Sequence, residues 1–223
     1  MMDLPDAVPE QLRDELRNLR LVNARLGSLT LVRNAVMSLV ADIHTERKIE
    51  VLDLATGSAD QPVALVEALR RAGRRVRVTA VDRNLVVLDA ARAFASLVAE
   101  IRLERQDIRA LPYPDRSFDI VICSFALHHF SRADGITILR EMKRLSRVGF
   151  VLHDLARGYL AAVAAWIYTR VTTTNTMTRH DGTASVMNAF VKRELRDMVA
   201  EAGIANVAVW NTRFRLMAVH RTS

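Results

Sequence analysis

After Lys48 the hydrophobic period of this chain switches back and forth, and that alternation constrains the fold more than any other feature. Short apolar runs, IEVLDL (49–54), VRVTAVD (76–82), IRLERQD (101–107), SFDIVICS (117–124) and VGFVLHD (148–154), have the continuous hydrophobicity of buried strands. Between them apolar residues recur at helical spacing: Val63, Val66 and Leu69; then Leu85, Leu88, Ala91, Phe94 or Ala95, and Val98; then Ile138–Leu139, Met142 and Leu145. Strand and helix in regular alternation predict an α/β fold, a mostly parallel sheet covered on both faces. Such sheets bind ligands beyond the carboxyl ends of their strands.

The flanks differ from this middle. Leu12, Leu16, Leu19 and Leu21–Val22 predict one helix, and Leu29, Val32, Val36, Leu39–Val40 and Ile43 a second. Near the other end Val191, Leu195, Met198–Val199 and Ala202 predict a helix stopped by Gly203. ANVAVWN and RFRLMAVH then read as an antiparallel pair of strands. The 223 residues suit one domain, and 50% hydrophobic with 26% charged residues is a globular composition. No run reaches the roughly 18 to 20 apolar residues of a membrane span. The start, MMDLPDAVPEQ, lacks a secretory pattern, and the single cysteine, Cys123, builds neither a disulfide nor a cysteine-based zinc site. These features point to a soluble, cytoplasmic protein with no metal. The net charge of +7 rests on 29 arginines and three lysines. The arginines are scattered apart from RRAGRRVR (70–77), which reads as a solvated helix end or, alternatively, an anion patch.

Polar residues concentrate at the predicted strand ends. Asp53 closes the first strand, and Ala55, Thr56, Gly57 and Ala59 lead into a helix whose free N–H groups face a ligand. Asp82 ends the second strand, where a carboxylate can accept hydrogen bonds from both ribose hydroxyls, and Asp107 ends the third, within reach of an adenine amino group. The set suits an adenosine-containing ligand but offers no phosphate cradle. There is no GxxxxGK[ST] loop, and Gly57 is the only glycine where GxGxxG needs three.

VLDLATGSAD, VTAVDRN and RQDIRALPYPDRSFDIVICSFALHHF resemble consecutive motifs of the class I S-adenosylmethionine-dependent methyltransferases, in particular the small-molecule branch with the quinone-biosynthesis enzymes. The resemblance covers about residues 49–151. It implies a Rossmann-like, seven-stranded, mostly parallel sheet with the last strand antiparallel, and S-adenosyl-L-methionine over the loop at 55–59. It further implies Asp53 at the methionyl end, Asp82 with neighbouring Arg83 at the ribose, Asp107 with Ile108 at the adenine, and Ser124 near the reaction path. Ala55 and Ala59 depart from the family, which often has glycine there. On this basis the chain divides into a helical N-terminal cover (1–48), a cofactor-binding core (49–157), a substrate-cover insertion (158–190) and a last helix with closing strands (191–223).

Methyl transfer to a protonated acceptor needs a base, and a histidine near neutrality suits that task. His153, beside Asp154, and His129 are the candidate catalytic residues. His128, Trp166, Arg179 and His180 are candidate acceptor contacts, with Ile167, Tyr168, Met177 and Asp181 around them. His128 and His129 have the alternative reading of capping or packing the helix after the fourth strand, and the insertion that of a core helix followed by a solvated loop. Arg20, Asn23 and Arg25 are placed facing inward; His44 and His220 read as surface residues. Ser124-Phe125-Ala126-Leu127 lacks the [DNS]PP[YFW] of many amino-group methyltransferases, Cys123 follows Ile122 rather than proline, and a metal-dependent catechol pattern is absent. The preferred function is methylation of oxygen or carbon on a small aromatic, polyketide-like or quinone-like acceptor, with nucleic acid an unfavoured partner. The alternatives are an RNA or protein methyltransferase, or a cofactor-binding protein without catalysis. Oligomeric state is left open.

Overall fold

The structure, a computed structural model, describes residues 9–25, 27–173 and 175–222, without the side chains of residues 9–11, 25, 176, 177 and 181. Arg25, Met177 and Asp181, named above, therefore have side chains outside the described residues. The elements in chain order are α1 (Pro9–Arg25), α2 (Ser28–Leu39), β1 (Ile49–Leu54), α3 (Asp60–Arg71), β2 (Val76–Asp82), α4 (Leu85–Phe94) and β3 (Ile101–Arg105). There follow β4 (Phe118–Ser124), a single 3-10 turn at Leu127–His129, α5 (Arg132–Leu145), β5 (Ser146–Leu155), α6 (Tyr159–Thr172), α7 (Thr176–Asn188), α8 (Lys192–Glu201), β6 (Val207–Thr212) and β7 (Arg215–Arg221).

One seven-stranded sheet runs β3-β2-β1-β4-β5-β7-β6. β1 to β5 pair in parallel, whereas β7 runs antiparallel to both β5 and β6. The strand order reverses between β1 and β4, so their carboxyl ends diverge there and open the crevice that such sheets use for ligands. The core lies on both faces. Leu52, Leu54, Val121, Cys123 and Phe150 meet α5 and α8 on one side; Val51, Ile120, Ile122 and Val151 meet α2 and α3 on the other. Both clusters are fully desolvated, which explains why the central strands carry no polar alternation.

One buried polar anchor holds the amino ends of the central strands. Asp119, fully buried in β4, accepts from the Glu50 backbone N–H at 2.9 Å and pairs with Arg47 and Arg147. A buried carboxylate is tolerated only with such partners. α4 begins at an Asn84 cap whose side chain accepts from the Val86 and Val87 N–H groups. Leu88, Ala91 and Ala95 face inward as expected, joined by Val87, whereas Leu85 and Phe94 are exposed.

The arginine run at 70–77 is a solvated helix end rather than an anion patch: Arg70 pairs with Glu100, Arg71 with Glu67, Arg75 with Glu46 and Arg77 with Glu50. His220 is a second correction. It lies in the buried β7 at 5% exposure, its ring against Phe150, and is not a surface residue. The polar TTTNTMTRHDGTAS segment is largely helix α7 rather than a loop. A Cβ on Gly182 would come within 2.7 Å of the Thr169 methyl, so the missing side chain is what lets α7 lie close against α6.

Candidate functional site

At the carboxyl ends of β1, β2 and β4 the chain forms one cleft. It is lined by Asp53, Ala55, Thr56 and Gly57 from the β1–α3 loop, by Asp82 and Arg83 after β2, and by Asp107, Ile108 and Ser124. All nine residues proposed for the cofactor therefore share one wall system, together with His129.

The loop is shaped by backbone conformation. Ala55, Gly57 and Ala59 have φ of 52°, 56° and 60°, the left-handed region where a Cβ costs roughly 1–2 kcal/mol. That is the physical reason glycine is favoured there, and this chain carries the cost twice. Thr56 N–H donates to the Val81 carbonyl at 2.9 Å and Gly57 N–H to the Asp82 carboxylate at 3.2 Å, so the loop is stitched to β2. The other Asp82 oxygen accepts from the Asn84 N–H at 3.0 Å. Both carboxylate oxygens are thus oriented by backbone and present the group at the cleft wall.

Asp53 is the most perturbed acid of the cleft. Burial raises its carboxyl from 3.8 to about 7; the neighbouring Thr56 hydroxyl opposes the rise, and Asp60 and Asp82 add to it. Its Oδ2 has no hydrogen-bond partner among the described residues. A buried, unpartnered carboxylate oxygen at a cleft wall is a site for a cation to complete. The methionyl ammonium of S-adenosyl-L-methionine has the charge and donors to do so; the residues present fit that group. Asp107 is engaged differently: Arg109 forks onto it at 2.7 Å and holds the carboxyl below its ordinary value. An adenine amino group must share that carboxylate with Arg109.

The histidines separate into three environments. His129 is exposed at the cleft rim. His128 is buried beneath it, ring centroids 4.1 Å apart, with Nδ1 2.6 Å from Asp154 Oδ1; its backbone N–H donates to Asp154 Oδ2 at 2.9 Å. Burial by itself would raise Asp154, but the His128 charge and hydrogen bonds outweigh it and leave the carboxyl below its ordinary value. His153 is fully buried and does not line the cleft. Its ring packs edge-on to Phe125 at 4.5 Å, and neither ring nitrogen has a partner among the described residues. Burial, with Arg215 nearby, lowers it to about 4, so it stays neutral at physiological pH.

Alternation along β5 explains this division. His153 and Asp154 point to opposite faces, and it is Asp154 that reaches the turn after β4. Asp154, Phe125 and Asp60 are the site residues that sequence reasoning passed over; the two-residue period of β5 was the available signal for the first. Phe125 lines the cleft in a left-handed conformation, φ 53°, fixed by its N–H donating to the His153 carbonyl at 2.8 Å. Asp60 at the start of α3 accepts from Asn23 of α1 at 2.9 Å, which brings the N-terminal helix to the cleft.

The acceptor candidates from the insertion do not line this cleft. Arg179 donates to the Thr173 and Arg170 carbonyls at 2.8 and 3.2 Å and so caps the end of α6. Trp166 is 48% exposed, with the Arg170 guanidinium 4.1 Å above its ring, and His180 is exposed. The physical reason is that α6 packs mainly on α7, burying only Ala161 and Thr169. Arg20 is partly buried, stacks on Phe94 at 4.6 Å and feels the charge of Asp60 in the cleft.

Comparison with known proteins agrees with this geometry. A family model described as a methyltransferase domain matches residues 51–149. The ubiquinone/menaquinone biosynthesis C-methyltransferase of Xanthomonas campestris is 35% identical over 150 residues, 66% of this chain and 57% of that one. A demethylmenaquinone methyltransferase of Deinococcus radiodurans is 38% identical over 107 residues, 48% of this chain and 41% of its own. The chain thus spans between two fifths and three fifths of the length of these relatives. A solved methyltransferase of Aquifex aeolicus shares the fold at a TM-score of 0.57 and 15% identity, covering 82% of this chain and 86% of that one. With its motifs on one cleft and a methyltransferase-domain match over residues 51–149, the chain resembles the class I S-adenosylmethionine-dependent methyltransferases, the quinone-biosynthesis enzymes among them.

Proposed function

We propose that the protein transfers the methyl group of S-adenosyl-L-methionine to carbon or oxygen of a small aromatic or quinone-like acceptor. The observation that carries this reading is the convergence of Asp53, Asp82 and Asp107 with His129 on one cleft. When bound, S-adenosyl-L-methionine supplies a methyl group on a sulfonium, a strong built-in leaving group. Asp53 neutralises the methionyl ammonium, Asp82 accepts from the ribose hydroxyls, and Asp107 with Ile108 borders the adenine. Ser124 and Phe125 wall the path to the acceptor, and Phe125 supplies an aromatic face for a planar ring.

His129 is the base. It stands at the rim, where an acceptor hydroxyl or ring proton is lost. His128 and Asp154 are positioning residues that clamp the 3-10 turn to the end of β5 and hold His129 in place. The fully buried His153 has no part in proton transfer. Carbon is the favoured acceptor atom because the Xanthomonas relative is named a C-methyltransferase.

The test is calorimetric titration with S-adenosylhomocysteine and with NAD, followed by labelled-methyl transfer to a quinol with a free ring position. Micromolar binding of the first ligand, none of the second, and label in the quinol support the proposal. Binding without transfer to any small acceptor overturns the substrate assignment and favours an RNA or protein acceptor or a non-catalytic role. No binding overturns the cofactor assignment.

A further inference from the structure

At the carboxyl end of β5 the antiparallel β7 begins, and its first residue, Arg215, stands opposite Leu155. Strand alternation puts Arg215 on the same face of the sheet as His153, the residue whose ring meets Phe125. The guanidinium carbon lies 4.8 Å from the centroid of the Phe125 ring, and Phe125 walls the cleft. We propose that Arg215 is a specificity-determining residue of the acceptor site: it holds an oxyanion, carboxylate or phenolate, carried by the aromatic ring that packs against Phe125. The proposal rests on the methyltransferase reading above and adds to it the charge of the acceptor.

Charge accounting separates Arg215 from other covered arginines. Arg144, likewise partly buried, is matched by Glu141 and Asp115 at 2.7 and 2.8 Å, and Arg147 pairs with the buried Asp119. Arg215 makes no ion pair or hydrogen bond through its guanidinium among the described residues. The one opposite charge that acts on it is Asp154. That carboxylate is already committed to the His128 ring at 2.6 Å and to the His128 and Leu155 N–H groups at 2.9 and 2.7 Å. His153, on the same face, is neutral and adds no counter-charge. Burial therefore pulls the guanidinium below its ordinary value, with Asp154 opposing only in part. An oxyanion brought to it offsets that desolvation.

Access supplies the independent observation. Arg215 is partly buried, yet none of its guanidinium nitrogens is sealed from solvent, so its donors are open to a ligand. A purely structural account explains part of this arrangement. The contact with Phe125 is a cation–π interaction, and Asp154 supplies some opposite charge. That contact uses the charge and leaves the N–H donors unspent. The same donors match the paired oxygens of a carboxylate, or the single oxygen of a phenolate whose proton has passed to His129. Platform and cation also keep a fixed spacing. The Phe125 N–H is bonded to the His153 carbonyl at 2.8 Å, and Arg215 is held by the pairing of β7 with β5. An aromatic ring with an oxyanion substituent meets both at once; a neutral ring uses only the first.

The experiment is calorimetric titration of the full chain, saturated with S-adenosylhomocysteine, with benzoate, its neutral counterpart benzamide, and 4-nitrophenol, whose absorbance reports whether it binds ionised. Binding of benzoate but not benzamide supports the proposal and assigns a carboxylate. Binding of 4-nitrophenol as the phenolate, at a pH where the free probe is mostly neutral, supports it and assigns a phenolate. Arg215→Met keeps an apolar stem against Phe125 and removes the cation. It should weaken the anionic probe about tenfold or more, as loss of a charge-assisted contact does, with S-adenosylhomocysteine affinity retained. Arg215→Lys, which keeps the charge and loses the fork, should fall between. Arg213→Ala, which removes an exposed arginine of the same hairpin, should change nothing. Equal binding of benzoate and benzamide with 4-nitrophenol bound neutral, binding of no probe, unchanged anion affinity in Arg215→Met, or an equal loss in Arg213→Ala overturns the proposal. Failure of the unaltered chain to bind S-adenosylhomocysteine overturns the cofactor reading instead, and this proposal with it.

Discussion

The β1–β4 half of the molecule and the α6–α7 insertion solve opposite problems with opposite chemistry. In the first, the ligand-facing loops are bonded to neighbouring strands: Thr56 to Val81, Gly57 to Asp82, Phe125 to His153. Side chains at the cleft inherit the rigidity of the sheet, which is what precise placement of a cofactor requires. In the second, α6 is the most apolar helix of the chain yet leaves Leu160, Trp166, Ile167 and Val171 between 48% and 79% exposed. It is held by the Arg179 cap and by an Asn18–Thr173 hydrogen bond of 3.2 Å. Few buried contacts and a polar clasp are the features of an element that opens at low cost. The comparison teaches that hydrophobicity alone does not mark a core: the strands are buried because other elements cover them, and α6 is not covered.

If that contrast is right, removing chemistry from the rigid half should cost far more than removing it from the insertion. His129→Ala should lower the methyl-transfer rate by on the order of 10² to 10⁴ with S-adenosylhomocysteine affinity retained, whereas His153→Leu should leave the rate within about a factor of two. Steady-state kinetics with calorimetry on both variants distinguishes them, and a large rate loss in His153→Leu would break the assignment. His153→Leu should also raise the melting temperature, since it removes two buried unpartnered nitrogens. Asp53→Asn should weaken S-adenosylhomocysteine by about 10²-fold, the loss of a desolvated charged contact.

A pH titration sharpens the same point. The Asp53 carboxyl, raised to about 7 by burial, favours its protonated form in the ligand-free fold, so its contribution to stability is complete below 3.8 and is lost as pH rises through 7. A bound ammonium favours the ionised form instead. S-adenosylhomocysteine affinity should therefore climb with pH up to about 7 and then level off, and Asp53→Asn should flatten that slope. At the small end, Arg179→Ala should cost about 1 kcal/mol through the lost helix cap, seen as a melting shift of about 2–4 °C, with cofactor affinity unchanged. A change in affinity would show that the insertion reaches the cleft after all.

The sequence by itself determined the sheet, its parallel strands and which residues line the cleft at their ends, because these follow from local rules. A buried parallel strand must be continuously apolar, a carboxylate at its end must face the crevice, and a close backbone approach needs small residues, here Ala55, Gly57 and Ala59. Tertiary structure decided what depends on which face a neighbour covers. Asp154 rather than His153 reaches the turn after β4, because alternate residues of a strand point apart and nothing in the string HD says which side holds the ligand. Arg179 became a cap because the end of α6 lies beside it. His220, read as a surface residue, is buried because β7 lies between β5 and β6. Local periodicity fixes which residues share a face; only packing fixes whether that face meets core, ligand or water.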